Sequence, residues 1–310
     1  MPVATIADIL AKQYSPMLYL LAEQKGSRFQ DKVRRETITS AEEAYFDTIG
    51  SVVAQKKTTR HGPTPLVEAD FGRRKCAPED YEVANPVDSE DKLKMIVDPT
   101  STFALRQANA MGKAKDAAII EAALGTALCG KTGATSKEFK DESISIGGTA
   151  AGALVTTLGT LAAVGTVADI DLGKILKMME IFNNADVDPD IPKYWVVSPK
   201  DIRDMLDITE LTSADYVTVK AIQQGTIGSV AGFNWFWSNL LGVDAATSTA
   251  TRTFAWAQDG IILGTAQEIQ TRIDERADLS YTIQVYSKMS MGAVRMEGAK
   301  VHECLCKIAE

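Results

Sequence analysis

No stretch of this 310-residue chain approaches the roughly 20 consecutive apolar residues that a membrane-spanning helix needs. The most apolar run, Ala150–Ala168, is broken by Gly152, Gly159, Gly165 and several threonines, which excludes an integral membrane protein. Histidine is nearly missing: His61 and His302 are the only two, 241 residues apart, so chemistry that needs a histidine cluster is nearly excluded. Cysteine is scarce too. Of the four, Cys304 and Cys306 alternate with Leu305, share a face if on a strand, and form no C-x-x-C pair. That usage fits a reducing compartment better than a disulfide scaffold. Positive charge is outnumbered, 33 Lys+Arg against 41 Asp+Glu, for a net charge of -8. Such a chain is a poor general glove for nucleic acid. The N-terminus has no early basic cluster and carries Asp8 and Lys12 inside its apolar part, so it does not read as a signal peptide. A nucleophile elbow, an H-E-x-x-H helix and zinc spacing are all missing. The carboxylate pairs Glu42/Glu43 and Asp188/Asp190 have no apolar setting that would raise a pKa. No catalytic residue, metal ligand or cofactor site is expected.

What is present is globular: 45% hydrophobic and 24% charged residues, enough length for two domains or one elaborated one. Thr5–Tyr14 and Ser15–Leu21 read as short helices, the second opened by Ser15-Pro16. The charged segment SRFQDKVRRET reads as a solvated or partner-contacting extension, not a core element. Thr58–Val97, with Pro63, Pro65, Pro78 and Pro86, reads as a long two-stranded excursion with little core of its own, uncommon unless functional, and composition alone equally allows a surface loop lying flat on its own subunit. The clearest element follows. Asp98 caps and Pro99 opens a helix that runs to Leu124 and stops at Gly125, a rod about 39 Å long. Phe103, Met111, Ala118, Ile119 and Ala122 mark its apolar side, with Arg106, Lys113 and Asp116 elsewhere. Gly112 costs about 1 kcal/mol in mid-helix unless a neighbour needs the space.

Further on, Leu172, Ile175, Leu176, Met179 and Phe182 form the stripe of an amphipathic helix. A buried strand, Tyr194–Val197, precedes Ser198-Pro199-Lys200-Asp201, which opens another helix with cap, proline and acidic third position. A third helix is expected over Ala214–Gln224. From Thr253 the period becomes two, through EIQTRIDER, YTIQVYSK and VHECLCKI, as in antiparallel strands with one covered face. Trp195, Trp235, Trp237 and Trp256 read as core, His302 as structural and His61 as surface.

One motif carries chemistry on paper. Gly125–Thr132 fits G-x-x-x-x-G-K-[ST], in which Lys131 would reach phosphates and Thr132 magnesium. That loop needs a strand before it and a helix after it. Here a long helix precedes and GATSKEFKDES follows without an apolar stripe, so a glycine-rich helix exit is the better reading and a phosphate-loop ATPase the alternative to test. The basic cluster Arg73-Arg74-Lys75 suits contact with an acidic neighbouring subunit.

RHGPTP, the RR pair, DSEDKLKMIVDPTSTFALRQANAMGKAKDAAIIEAALGTALCG, YWVVSPKDIRDML, TSADYVTVKAIQQGTIGSVAGFNW, AWAQDGIILG and YTIQVYSKMSMGAVRMEGAKVHE, in that order, resemble a tailed-phage major capsid protein from about Tyr14 to His302. Pro63 stands where an acidic residue is expected before Thr64-Pro65. The resemblance implies an α+β, Hong Kong 97-like shell fold: a spine helix on an antiparallel sheet, an extended loop and a mixed α/β axial domain. It implies residues 1–50 as N-terminal arm, 51–97 as extended loop, 98–168 as peripheral domain with spine helix, 169–256 as axial domain and 257–310 as peripheral strands. It implies hexamers and pentamers of this chain in an icosahedral virion shell around double-stranded DNA, assembled in a bacterial host's cytoplasm with portal, scaffold and decoration or cement proteins as partners, and no membrane or cofactor. Arg60, Arg73, Arg74, Glu79 and Asp80 are the expected inter-subunit contacts. An encapsulin-type compartment, which shares the fold, is the other alternative.

Overall fold

A computed structural model describes residues 22–39, 42–60, 66–87, 100–148, 154–158, 168–208, 229–243 and 250–308. The helices expected within Thr5–Leu21 and over Ala214–Gln224, the Asp98-Pro99 start, His61 and Pro63 lie outside the described residues. So does Ala150–Ala168, apart from Leu154–Leu158 and Ala168.

In chain order the strands are β1 (Arg34–Thr37), β2 (Ala44–Ile49), β3 (Phe71–Cys76) and β4 (Glu79–Val87). The long helix α1 (Thr100–Leu124) comes next, then β5 (Ala127–Cys129), β6 (Thr135–Lys137), α2 (Phe139–Glu142), β7 (Ile144–Gly148) and β8 (Leu154–Leu158). The remainder is α3 (Leu172–Asn184), β9 (Lys193–Val197), α4 (Pro199–Asp207), β10 (Ser229–Val230), β11 (Phe233–Trp237), β12 (Ala250–Ala257), β13 (Ile261–Arg276), β14 (Thr282–Arg295) and β15 (Val301–Lys307). They form three sheets, ordered β1-β13-β14-β4, β10-β11-β9-β12-β15-β7-β8 and β2-β3-β5-β6.

The described residues belong to two compact units. One draws on Met1–Ser27, Asp80–Lys113 and Glu268–Met289; the other on Arg28–Glu79, Ala114–Gln267 and Ser290–Glu310.

In the smaller unit α1 contributes Gln107, whose amide donates to Asn85 Oδ1 and to the carbonyl of Val285, both at 2.8 Å, and accepts from Ser287 at 2.7 Å. A buried amide satisfied on three sides ties helix to strands. Gly112 has the tight neighbour that its cost demands. A Cβ there would sit 2.4 Å from the backbone carbon of Gly26, a residue in the left-handed conformation. The segment is held by Asn109, which accepts from the Gly26 N–H at 3.2 Å and donates to Glu23 at 3.0 Å.

The larger unit centres on the seven-stranded sheet. Trp195, Val197, Phe233, Ala255, Cys304 and Cys306 share one core cluster with Ile175, Met178 and Phe182 of α3 and Met205 of α4. Cys304 and Cys306 lie side by side, sulfurs 4.0 Å apart and fully buried, as their alternation requires. α4 opens with the expected box: Asp201 Oδ2 accepts from Ser198 N–H at 2.8 Å, and Ser198 Oγ accepts from Asp201 N–H at 3.3 Å. In α3 the buried stripe is Ile175, Met178, Ile181 and Phe182, while Leu176, expected inside, is 47% exposed. Lys174 is enclosed instead, its ammonium donating to the carbonyls of Ala168 and Leu305. His302 is structural: its ring packs on Phe182, Nδ1 accepts from Ile144 N–H, and burial pushes its pKa down to about 4.

Two expectations are corrected here. SRFQDKVRRET is not a solvated extension: Phe29 and Val33 are buried, and Phe29 stacks on Phe254 and Trp256. Asp116 is fully buried, its carboxylate accepting from the N–H groups of Arg28 and Phe29 at 3.0–3.2 Å. Two large apolar residues and one buried acceptor anchor a segment that composition marks as solvated. Trp237 is the exception among the tryptophans: 39% exposed, with the Arg28 guanidinium 3.8 Å over its ring.

Candidate assembly surfaces

β2 and β3 form an antiparallel ribbon, registered from Ala44↔Cys76 to Ile49↔Phe71 and closed by Gly50 N–H on the Asp70 carbonyl at 2.7 Å. Alternation gives it two different faces. Near its base Ala44, Phe46 and Cys76 join a buried cluster with Ile38, Ile262, Val294 and Met296. On the other face Arg73 lies opposite Asp47 and grips its carboxylate with two hydrogen bonds, 2.6 and 3.0 Å. These bonds hold Asp47 below the usual carboxylate range. Lys75 pairs with Glu43 beside it.

Away from the base none of the described residues of the ribbon is buried. Ile49 is 70% exposed, Val53 79%, Leu66 94% and Phe71 77%, with Val52 and Val67 exposed as well. Residues 51–60 are exposed throughout, including Lys56, Lys57 and Arg60. Large apolar side chains clustered in water mark an interaction surface, because leaving them wet forfeits their burial energy. Sequence reading expected the excursion to start at Thr58; its first strand is Ala44–Ile49, which read as part of the arm. The apolar tip was missed because Val52, Val53 and Leu66 stand among charges and prolines without a period.

The expected contact residues separate. Arg60 is exposed, Arg73 is half-buried with its guanidinium on the outer face of the ribbon, and Glu79 and Asp80 open β4 on exposed positions. Arg74 points inward and is 8% exposed. Its guanidinium donates to both Glu142 oxygens at 2.6 and 2.8 Å, to the Met296 carbonyl at 2.9 Å and to Cys129 Sγ at 2.5 Å. Arg295, fully buried, donates to the carbonyls of Ala123 and Gly125, the last turn and exit of α1, both at 2.8 Å. Burial pushes the Glu142 carboxyl up, but hydrogen bonds and charge from Arg74 and Lys137 outweigh it and hold the pKa below 4.5. Arg74 is thus engaged within its own chain. Reversing it to Glu would set a carboxylate against Glu142 and damage the fold, so the expected contact with an adjacent subunit narrows to Arg73.

The G-x-x-x-x-G-K-T stretch leaves α1 at Gly125, as a helix exit, and runs directly into a hairpin. β5 and β6 pair from Ala127↔Lys137 to Cys129↔Thr135. Gly130 and Gly133 take positive φ (87° and 67°) between them, and Lys131 and Thr132 are exposed at the tip. An anion cradle needs the free N–H groups of a helix start. A strand follows here, so the phosphate-loop reading fails.

A unit with its own core and, among the described residues, an exposed apolar ribbon tip is what a self-associating structural protein presents. The chain belongs to the phage capsid protein family, whose description matches residues 6–308. No curated protein sequence matches it. Among solved structures, the capsid of cyanophage P-SCSP1u is similar at 15% identity and a TM-score of 0.72, covering 98% of this chain and 94% of that one. The capsid of cyanophage Pam1 is 14% identical with a TM-score of 0.69, covering 99% and 98%. That of Ralstonia phage GP4 is 12% identical with a TM-score of 0.69, covering 97% and 96%. The fold is that of Hong Kong 97-like phage capsid shells. The protein is a major capsid protein, a structural component of the shell of a phage head.

Proposed function

We propose that this chain forms the hexamers and pentamers of an icosahedral head that encloses double-stranded DNA without sequence preference, and that it catalyses no reaction. The observation that carries this reading is the apolar ribbon tip. Six large side chains (Ile49, Val52, Val53, Leu66, Val67 and Phe71) stand in water. Burying them on a neighbour is worth about 9–18 kcal/mol gross, before the costs of ordering and association. Repeated around a closed shell, even modest net contacts become collectively strong. In this reading residues 51–97 are the extended loop laid over an adjacent subunit, 1–50 the N-terminal arm, 98–168 and 257–310 the peripheral domain, and 169–256 the axial domain. Arg60, Arg73, Glu79 and Asp80 meet neighbouring copies. Assembly takes place in the bacterial host's cytoplasm, with portal, scaffold and decoration or cement proteins as partners.

Electron cryo-microscopy of purified particles, with nuclease digestion before and after disruption, tests the reading. Six-fold and five-fold capsomers around nuclease-protected double-stranded DNA are expected. Open sheets, or particles that never hold DNA, would overturn it.

A further inference from the structure

The strand β13 has two edges with different fates. One pairs with β14 along the sheet; the other is covered by β1 only over Ile262–Thr265. Among the described residues nothing pairs with that edge over Gln270–Arg276, and every residue there is exposed. A row of unpaired N–H and C=O groups on a regular strand is a template for another strand. Charge usually keeps such an edge solvated, and Arg272, Asp274, Glu275 and Arg276 are all charged. Their order is selective, however.

We propose that this edge pairs antiparallel with the same edge of a second copy, about a two-fold axis passing at Ile273. The proposal rests on the self-association described above and adds a second, separate interface to it. An axis perpendicular to the sheet preserves its faces, so residues opposite each other have numbers of equal parity. Centred on Ile273, the pairing sets Arg272 opposite Asp274 twice, Gln270 opposite Arg276 and Thr271 opposite Glu275. Ile273, 53% exposed, meets its own copy on the face where Thr271 Oγ1 lies 2.9 Å from Ser287 Oγ. Neighbouring registers are penalised. An axis at Arg272 sets that arginine against itself, although Arg276 then faces Glu268. One at Asp274 sets Asp274 against itself and Arg272 against Arg276. One at Thr271 sets Asp274 against Glu268. Opposite charges directly across antiparallel strands stabilise and like charges repel, so the register centred on Ile273 is favoured as the one of these four that sets no like charges together within β13. The same charges that protect the edge from random pairing specify its own copy as partner. Each contact is small; a shell repeats it many times.

Charge reversal tests this with an internal control. Arg272→Asp sets aspartate against aspartate twice, and Asp274→Arg sets arginine against arginine twice. Each alone is expected to lower the particle yield at low salt by about tenfold. The double variant Arg272→Asp/Asp274→Arg restores complementarity in one chain, and mixing the two single variants restores it between chains; both are expected to recover particles. Far-UV circular dichroism of the unassembled variants checks that the fold is intact. In assembled particles, Ile273→Cys is expected to give disulfide-linked dimers on oxidation, and Thr271→Cys, opposite Glu275, is not. Single reversals that assemble like the wild type, a double variant no better than the worse single, or no dimer from Ile273→Cys would overturn the edge pairing while leaving the shell function standing. Failure of the wild-type chain to form particles would instead count against the shell reading.

Discussion

Arg73 and Arg74 are adjacent in sequence and opposite in consequence. Replace each with methionine, which keeps an unbranched stem and removes the charge. Arg74 loses two hydrogen bonds to Glu142, one to the Met296 carbonyl and one to Cys129. The Glu142 side chain is 11% exposed; it keeps Lys137 at 3.0 Å and has Arg295 Nε at 3.9 Å. Removing one partner of an enclosed pair costs about 3–5 kcal/mol, and the remaining lysine argues for about 3. That is a large part of the roughly 5–15 kcal/mol by which a domain is stable. At about 2–4 °C per kcal/mol for a domain of 150–250 residues, the melting temperature should fall by about 6–12 °C. Arg73→Met gives up an exposed pair that water and salt already screen, so its melting temperature should stay that of the wild type. Differential scanning calorimetry of the unassembled protein makes the comparison. Equal melting temperatures for the two variants would refute the enclosed-pair argument.

Gly112→Ala should destabilise by about 1–3 kcal/mol, although the same change in an open helix gains about 1 kcal/mol. The new methyl meets backbone atoms of Gly26 and Ser27 at 2.4–2.7 Å, so hydrogen exchange at those residues should accelerate; a raised melting temperature would contradict this. His302, neutral in the fold with its pKa near 4, should make stability fall as pH drops from about 6.5 towards 4. The unfolded chain takes up the proton first, which costs about 3 kcal/mol over that window. Denaturant titrations of His302→Gln should show the dependence flattened, and an unchanged slope would count against it. Ser198→Ala removes half of the α4 capping box and should cost about 1–2 kcal/mol by urea unfolding, against no change if the box is idle.

Much of the fold was legible where one physical rule acted alone. Ser198-Pro199-Lys200-Asp201 gave the start of α4, Gly125 the end of α1, and the period of two the strands β13 and β14. Gly112 announced a close neighbour without saying which, because the neighbour is Gly26, far off in sequence. The illegible parts are those where tertiary contacts override composition. Phe29 is buried from within a charged run because Asp116 caps its backbone. Leu176 is exposed and Lys174 enclosed because two carbonyls receive the ammonium. Arg74 looks like Arg73 on paper; only the pleat of β3 turns one inward and the other out. The order of recognisable strings pointed to the shell fold, whereas the apolar ribbon tip became visible only once β2 and β3 were paired.

The most direct test of the account is the size of what the purified chain forms. Analytical ultracentrifugation across concentration and ionic strength should find closed particles of many copies, larger than any small oligomer. A single 33.5 kDa species under every condition, with residues 44–76 protected from proteolysis in the lone chain, would contradict it.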